Sequence, residues 1–159
     1  MNNRNGVENS MIIMNEIKDK KLRNIIIILK ILLKINNLGE TTLGGMNSFL
    51  LFHLVYYFVV IQKSTIENEF QLPEKFLFYY GFEFVDTKYM LVMKGIQSKM
   101  ILKKNNKALS VKTTLSKNDI GGQCKKYDEI KKLFQITYNK MNDCINKLEF
   151  SILSKLNFK

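Results

Sequence analysis

Apolar residues recur at helical spacing along most of this chain, and the places where that rhythm breaks mark out its elements. Residues 5–19 carry a weak helical pattern through Val7, Met11, Ile12 and Ile17. Residues 22–35 are strongly apolar, with Arg23, Lys30 and Lys34 as the main polar breaks, which predicts a largely buried helix. Asn36, Asn37 and Gly39 supply its stop. Gly44-Gly45 then turns the chain into Asn47-Ser48, small polar residues suited to open a helix over the apolar run 50–61. A polar connection over 63–70 leads to Pro73, placed for the first turn of a short helix, 73–80, that Gly81 should stop. From Phe82 the rhythm changes. Residues 89–93, 100–102 and 109–112 read as short strands, with a turn over 103–107 and a polar loop over 115–123. The last stretch, 127–156, predicts a long amphipathic helix, continuous or broken once, through Ile130, Leu133, Phe134, Met141, Ile145, Leu148 and Ile152. With no internal repeat and no low-complexity linker, the pattern predicts a mainly α chain with a small β element, one domain over 1–159.

Composition agrees and adds a partner. A chain of 159 residues that is 46% hydrophobic can bury a real core. Its net charge of +11 points to polyanions, meaning nucleic acid, nucleotides or acidic lipid. The surplus is uneven: from Lys99 onward fourteen lysines face five acids, leaving only +2 for everything earlier. A solvated lysine-rich surface is the alternative reading of charge alone. The two apolar runs fall short of the roughly 20 residues a membrane span needs, and Lys30 interrupts the first while His53 sits in the second. They are therefore expected to be buried helices, with no membrane partner. Residues 1–6 lack a signal-peptide pattern, and Cys124 and Cys144 are isolated thiols. An intracellular setting, nuclear or cytoplasmic, is expected.

The inventory of reactive residues excludes much. His53 is the only histidine, set among Phe52, Leu54 and Val55, so it reads as a satisfied core residue, and neither a His-based metal cluster nor a Ser-His-Asp triad has its parts. No Asp-x-Asp pair is present for two-metal phosphoryl chemistry, and no Gly-x-x-x-x-Gly-Lys-Ser/Thr loop. The chain alone reads as non-catalytic, with no metal ligand set. Two features still suit a phosphate. Lys30 and Lys34, four apart, would rise from one helix face. The turn at Gly44 opens a helix whose first N–H groups lack internal partners, a ready anion site as well as an ordinary capped helix.

Three segments together resemble the non-canonical poly(A) polymerases and terminal uridylyltransferases, which are DNA-polymerase-beta-like nucleotidyltransferases. Gly6-Val7-Glu8-Asn9-Ser10-Met11-Ile12-Ile13 is similar to the family's Gly-x-x-Asn-Thr-x-Leu-Leu. Lys30 and Lys34, followed by Gly44-Gly45-Met46-Asn47-Ser48-Phe49, resemble its lysine helix and small-small-x-Ser-Ser-Tyr turn. Leu115-Ser116-Lys117-Asn118-Asp119-Ile120-Gly121 is similar to the Asn-Asp-Val-Gly-Arg loop of the PAP-associated region, before a long helix in both cases. The resemblance implies the helical central domain of such an enzyme, with 72–125 as the PAP-associated segment and 127–156 as the C-terminal helix. It also implies that the Gly-Ser and Asp-x-Asp motifs of the catalytic domain lie upstream of Met1, and that Mg or Mn acts only through that domain.

By the same resemblance, Asn9 and Ser10 contact the ribose and neighbouring nucleotide, and Lys30 and Lys34 neutralise the triphosphate. Ser48 binds phosphate, Phe49 stacks on the base, and Asn118 with Asp119 reads it. Asn118 stands where uridylyl-adding members carry His, which implies ATP as substrate; a uridylyltransferase is the alternative. Lys125, Lys126, Lys131 and Lys132 are expected to track RNA. Lys112-Thr113-Thr114 replaces the family's Glu/Asp-Asp-Pro, removing a carboxylate expected on the base, and Gly122 replaces an Arg. The implied function is nucleotide and RNA 3′-end binding for AMP addition, inactive as this chain, with a separate catalytic half or adaptor as partner. A non-catalytic RNA- or protein-interaction module is the competing reading.

Overall fold

The computed structural model describes residues 20–61, 69–95, 97–105 and 108–156. The segment 5–19, with Asn9 and Ser10, lies outside them. Among the described residues the first helix, α1 (Lys20–Ile35), buries Leu22, Ile25, Ile26, Leu29 and Leu33, the i, i+3, i+4, i+7 face expected of its sequence. It ends where Asn37 adopts a left-handed φ of 56° and the Leu38 N–H returns to the Leu33 carbonyl at 2.9 Å, a glycine-like stop that asparagine tolerates.

A 3₁₀ turn, Thr41–Leu43, leads into α2 (Ser48–Tyr56), which continues as a π turn, Tyr57–Ile61. Asn47 caps α2: its side-chain oxygen accepts from the Leu50 N–H at 2.8 Å. Next comes α3 (Leu72–Phe78), with Pro73 in its first turn as expected. Gly81 does not stop it. The helix widens into a π turn, Tyr79–Glu83, closed by the Phe84 N–H on the Tyr79 carbonyl at 2.8 Å. A Cβ on Gly81 would meet Gln135 Cγ at 3.3 Å, and Gln135 donates to the Gly81 carbonyl at 2.6 Å. The glycine serves close approach of the last helix rather than termination.

Three strands follow: β1 (Tyr89–Met93), β2 (Lys99–Leu102) and β3 (Val111–Thr113), ordered β2-β1-β3. β2 pairs antiparallel and β3 parallel with β1, with Leu91 opposite both Met100 and Val111. Leu91 and Val111 point into the core, and alternation turns Met90, Ile101 and Lys112 to the other face.

The last helix, α4 (Tyr127–Leu156), runs unbroken for 30 residues. Its first half anchors the fold through buried Tyr127, Ile130 and Phe134. Lys131 bonds Asp86 Oδ1 at 3.0 Å and the Phe84 carbonyl at 3.1 Å. Its outer turns leave Ile145, Leu148, Phe150, Ile152 and Leu153 exposed. Phe76 sits at the centre, its ring 4.7 Å from Tyr80 and 5.7 Å from both Phe58 and Phe134. The chain is mainly helical with a small three-stranded sheet, as its sequence predicts. Among the described residues no helix is long and apolar enough to cross a membrane.

Candidate nucleotide cleft and recognition loop

The turn between α1 and α2 is built from close backbone contacts. The Met46 N–H bonds the Leu38 carbonyl and the Gly45 N–H the Glu40 carbonyl, each at 2.8 Å. A Cβ on Gly45 would lie 2.3 Å from the Leu38 oxygen, so only glycine fits. Gly44, with φ of 80°, accepts from the Lys126 N–H at 2.8 Å, which docks the start of α4 against this turn. Folding the turn in this way sets Ser48 beside the exposed face of α1. Lys30, Lys34 and Ser48 then line one open cleft of about 570 Å³, with Asn37 and Glu40 on its rim and Ile27 and Ile31 along one wall. Two lysines and a hydroxyl share the cleft with one acid, Glu40, a balance that suits a phosphate-bearing ligand.

The other sequence candidates sit elsewhere. Phe49 is not among the residues lining the cleft; its half-buried ring stands edge-on to His53 with centroids 4.5 Å apart. His53 is buried, and both nitrogens have partners. The Phe49 carbonyl can only accept, so Nδ1 donates to it at 2.8 Å, and Nε2 accepts from the Thr113 hydroxyl at 3.2 Å. Burial holds the imidazole below its ordinary pKa, against an opposing pull from the Phe49 carbonyl. Thr113 Oγ1 also accepts from the Leu115 N–H at 3.3 Å. A neutral histidine thereby links α2 to the start of the 115–120 loop, a contact across 60 residues that no local sequence signal announces.

Within that loop Asn118 is exposed, its N–H donating to Ser116 Oγ at 3.2 Å. Asp119 turns inward. Its Oδ1 accepts from the N–H groups of Val111 and Gly121 at 2.9 Å and of Gly122 at 3.3 Å, and Ser110 donates to its Oδ2. The carboxylate shapes the loop, and little of it is left to meet a ligand. The four lysines divide as well. Lys125 and Lys132 are exposed and Lys126 half-buried, whereas Lys131 is held by Asp86, itself only 4% exposed. That ion pair removes Lys131 from the set of free cations. Cys124 is buried with its thiol pushed up to about 12, an inert residue, while Cys144 is exposed.

The fold defined by these elements is shared with a solved polymerase. The chain superposes with a TM-score of 0.72 and 20% identity on a structure described as the polymerase core of TRAMP, an RNA surveillance complex. The match covers 89% of this chain and 49% of that one, so this chain spans about half the length of its structural relative. At that identity the likeness is one of fold. No family model and no curated protein matches the sequence.

Proposed function

We propose that this chain is the nucleotide- and RNA-binding central portion of a poly(A)-polymerase-like nucleotidyltransferase, acting with ATP at RNA 3′ ends. One observation carries the reading: Lys30, Lys34 and Ser48, drawn from two helices, line a single cleft. In the proposed complex the lysines neutralise the triphosphate as point charges, and the Ser48 hydroxyl, at the Asn47-capped start of α2, holds a phosphate oxygen. Asn118, exposed on its loop, offers an amide to the adenine edge. Phe49, set edge-on to His53, contributes to the base site only through ring atoms left uncovered.

Among the described residues lining the cleft, Glu40 is the only acid. One carboxylate does not make a two-metal site, so the metal-dependent step belongs to residues outside this arrangement, and no adenylyl transfer is expected from these 159 residues alone. A protein partner fits the same picture. Ile27, Ile28, Ile31 and Ile35 leave an exposed apolar stripe on α1, and two of them form a wall of the cleft. A catalytic half or adaptor covering that stripe would close the cleft as it docks.

The test is titration of ATP and UTP against the protein and its Lys30→Ala/Lys34→Ala variant. The expected result is ATP binding that weakens roughly tenfold or more in the variant, in line with lost charge-assisted bonds of about 1.5–3 kcal/mol each, at unchanged melting temperature. Equal binding by both proteins would remove the cleft from the proposal.

A further inference from the structure

The sheet carries the most one-sided charge in the molecule. Residues 87–118 hold eight lysines and no acidic residue. The sheet face turned away from the core, with Met90, Ile101 and Lys112, floors an open groove of about 880 Å³. Lys103, Lys104, Lys112 and Lys125 line it. Lys103 acts as a strut, its Nζ donating to the carbonyls of Ala108 (2.7 Å) and Asp86. The other three are exposed. Among the described residues Asp119 is the one acid on the groove, and three backbone N–H groups and the Ser110 hydroxyl surround its oxygens. The charges of Asp86 and Asp119 act on Lys103, while Lys104, Lys112 and Lys125 have no ion pair among the described residues.

We propose that this groove binds the sugar-phosphate backbone of single-stranded RNA, with Lys104, Lys112 and Lys125 on successive phosphates and no readout of base sequence. The proposal rests on the RNA side of the proposed function and adds a second site to the nucleotide cleft. Position favours RNA. Lys125 packs against Gly44, with Lys125 Cβ 3.2 Å from where a Gly44 Cβ would stand, and the neighbours Leu43 and Met46 line the cleft. Through Lys125 the groove therefore adjoins the turn that borders the proposed nucleotide cleft. An acidic protein segment fits less well. Addition to the β2 edge would meet a strand of only four residues that starts with Lys99, features that discourage strand pairing. The aliphatic floor, without an exposed aromatic platform, suits backbone contact rather than base stacking.

The experiment measures binding of a labelled single-stranded RNA by the full chain across a salt series, for the wild type and for Lys104→Gln/Lys112→Gln. The expected result is a log K against log salt slope shallower by roughly 1.4 in the double variant, about 0.7 per lost phosphate contact on a single strand, with ATP binding unchanged. Lys104→Gln alone, on an exposed turn, should give about half of that change. Wild-type RNA binding with an identical slope in the variant would overturn the groove and leave the nucleotide cleft standing. No RNA binding by the wild type at low salt would overturn both the groove and the RNA part of the proposed function. Preferential binding of polyglutamate over RNA, lost in the same variant, would replace RNA with an acidic protein partner and overturn the proposal.

Discussion

The two loops that carry sequence motifs, 39–47 and 115–122, solve the same problem in opposite ways. Each must satisfy backbone groups while holding a sharp turn. In the first, backbone bonds backbone: Gly45 and Met46 donate to Glu40 and Leu38 carbonyls, and Gly44 accepts from Lys126. The side chains at its ends, Lys34 and Ser48, stay available to a ligand. In the second, a side chain does the work, with Asp119 collecting three N–H groups and a hydroxyl. Matching a motif residue to a binding role is therefore safer in the first loop than in the second. Here the acid two residues before the glycine pair serves the turn itself.

The contrast can be broken from either side. Gly45→Ala should have the largest effect. A Cβ 2.3 Å from the Leu38 oxygen cannot be relieved by side-chain motion, so the turn must open, with an expected loss of about 3 kcal/mol or more in denaturant unfolding. Asp119→Ala should cost about 2 kcal/mol, because it leaves several N–H groups short of an acceptor. Asp119→Asn keeps the shape but loses the charge and should recover part of that loss. An unchanged midpoint for Asp119→Ala would mean that the carboxylate is not the organiser of its loop.

His53 ties the two regions together and gives the smallest effect, readable through pH. Its folded pKa lies below the unfolded value of 6.5. Above 6.5 both states hold it neutral and the contribution to stability is fully present. As the pH falls through 6.5 the unfolded chain gains a proton first, so stability declines until the folded pKa is passed. The melting temperature should drop between about pH 7 and 5, and His53→Gln should flatten that slope while lowering stability throughout. A slope equal in both proteins would assign the acid sensitivity to other groups.

How far the sequence could be read follows from the range of each interaction. Periodicity located α1, α2, α3 and α4 and the three strands to within a few residues, because burial of one face repeats along the chain. It misjudged Gly81, whose role depends on Gln135, 54 residues away, and it left open whether α4 breaks. The cleft was half legible: Lys30 and Lys34 share a face by spacing alone, but Ser48 reaches them only because Gly45 admits the Leu38 carbonyl. The pairing of Lys131 with Asp86 and the inward turn of Asp119 were invisible, since composition cannot tell a free charge from a committed one. The acid-free run 87–118 was readable and marks the groove.

The length of α4 has a mechanical consequence. Its first half is clamped through Lys131 and Gln135, and its outer turns, from Asp143 onward, lie free of the core. Those fourteen residues at about 1.5 Å each make a cantilever of roughly 21 Å. A tilt of about ten degrees at the base of this free length would swing its tip by roughly 4 Å, so a load applied to the apolar outer turns is carried back along the helix to the Gly81–Gln135 seam.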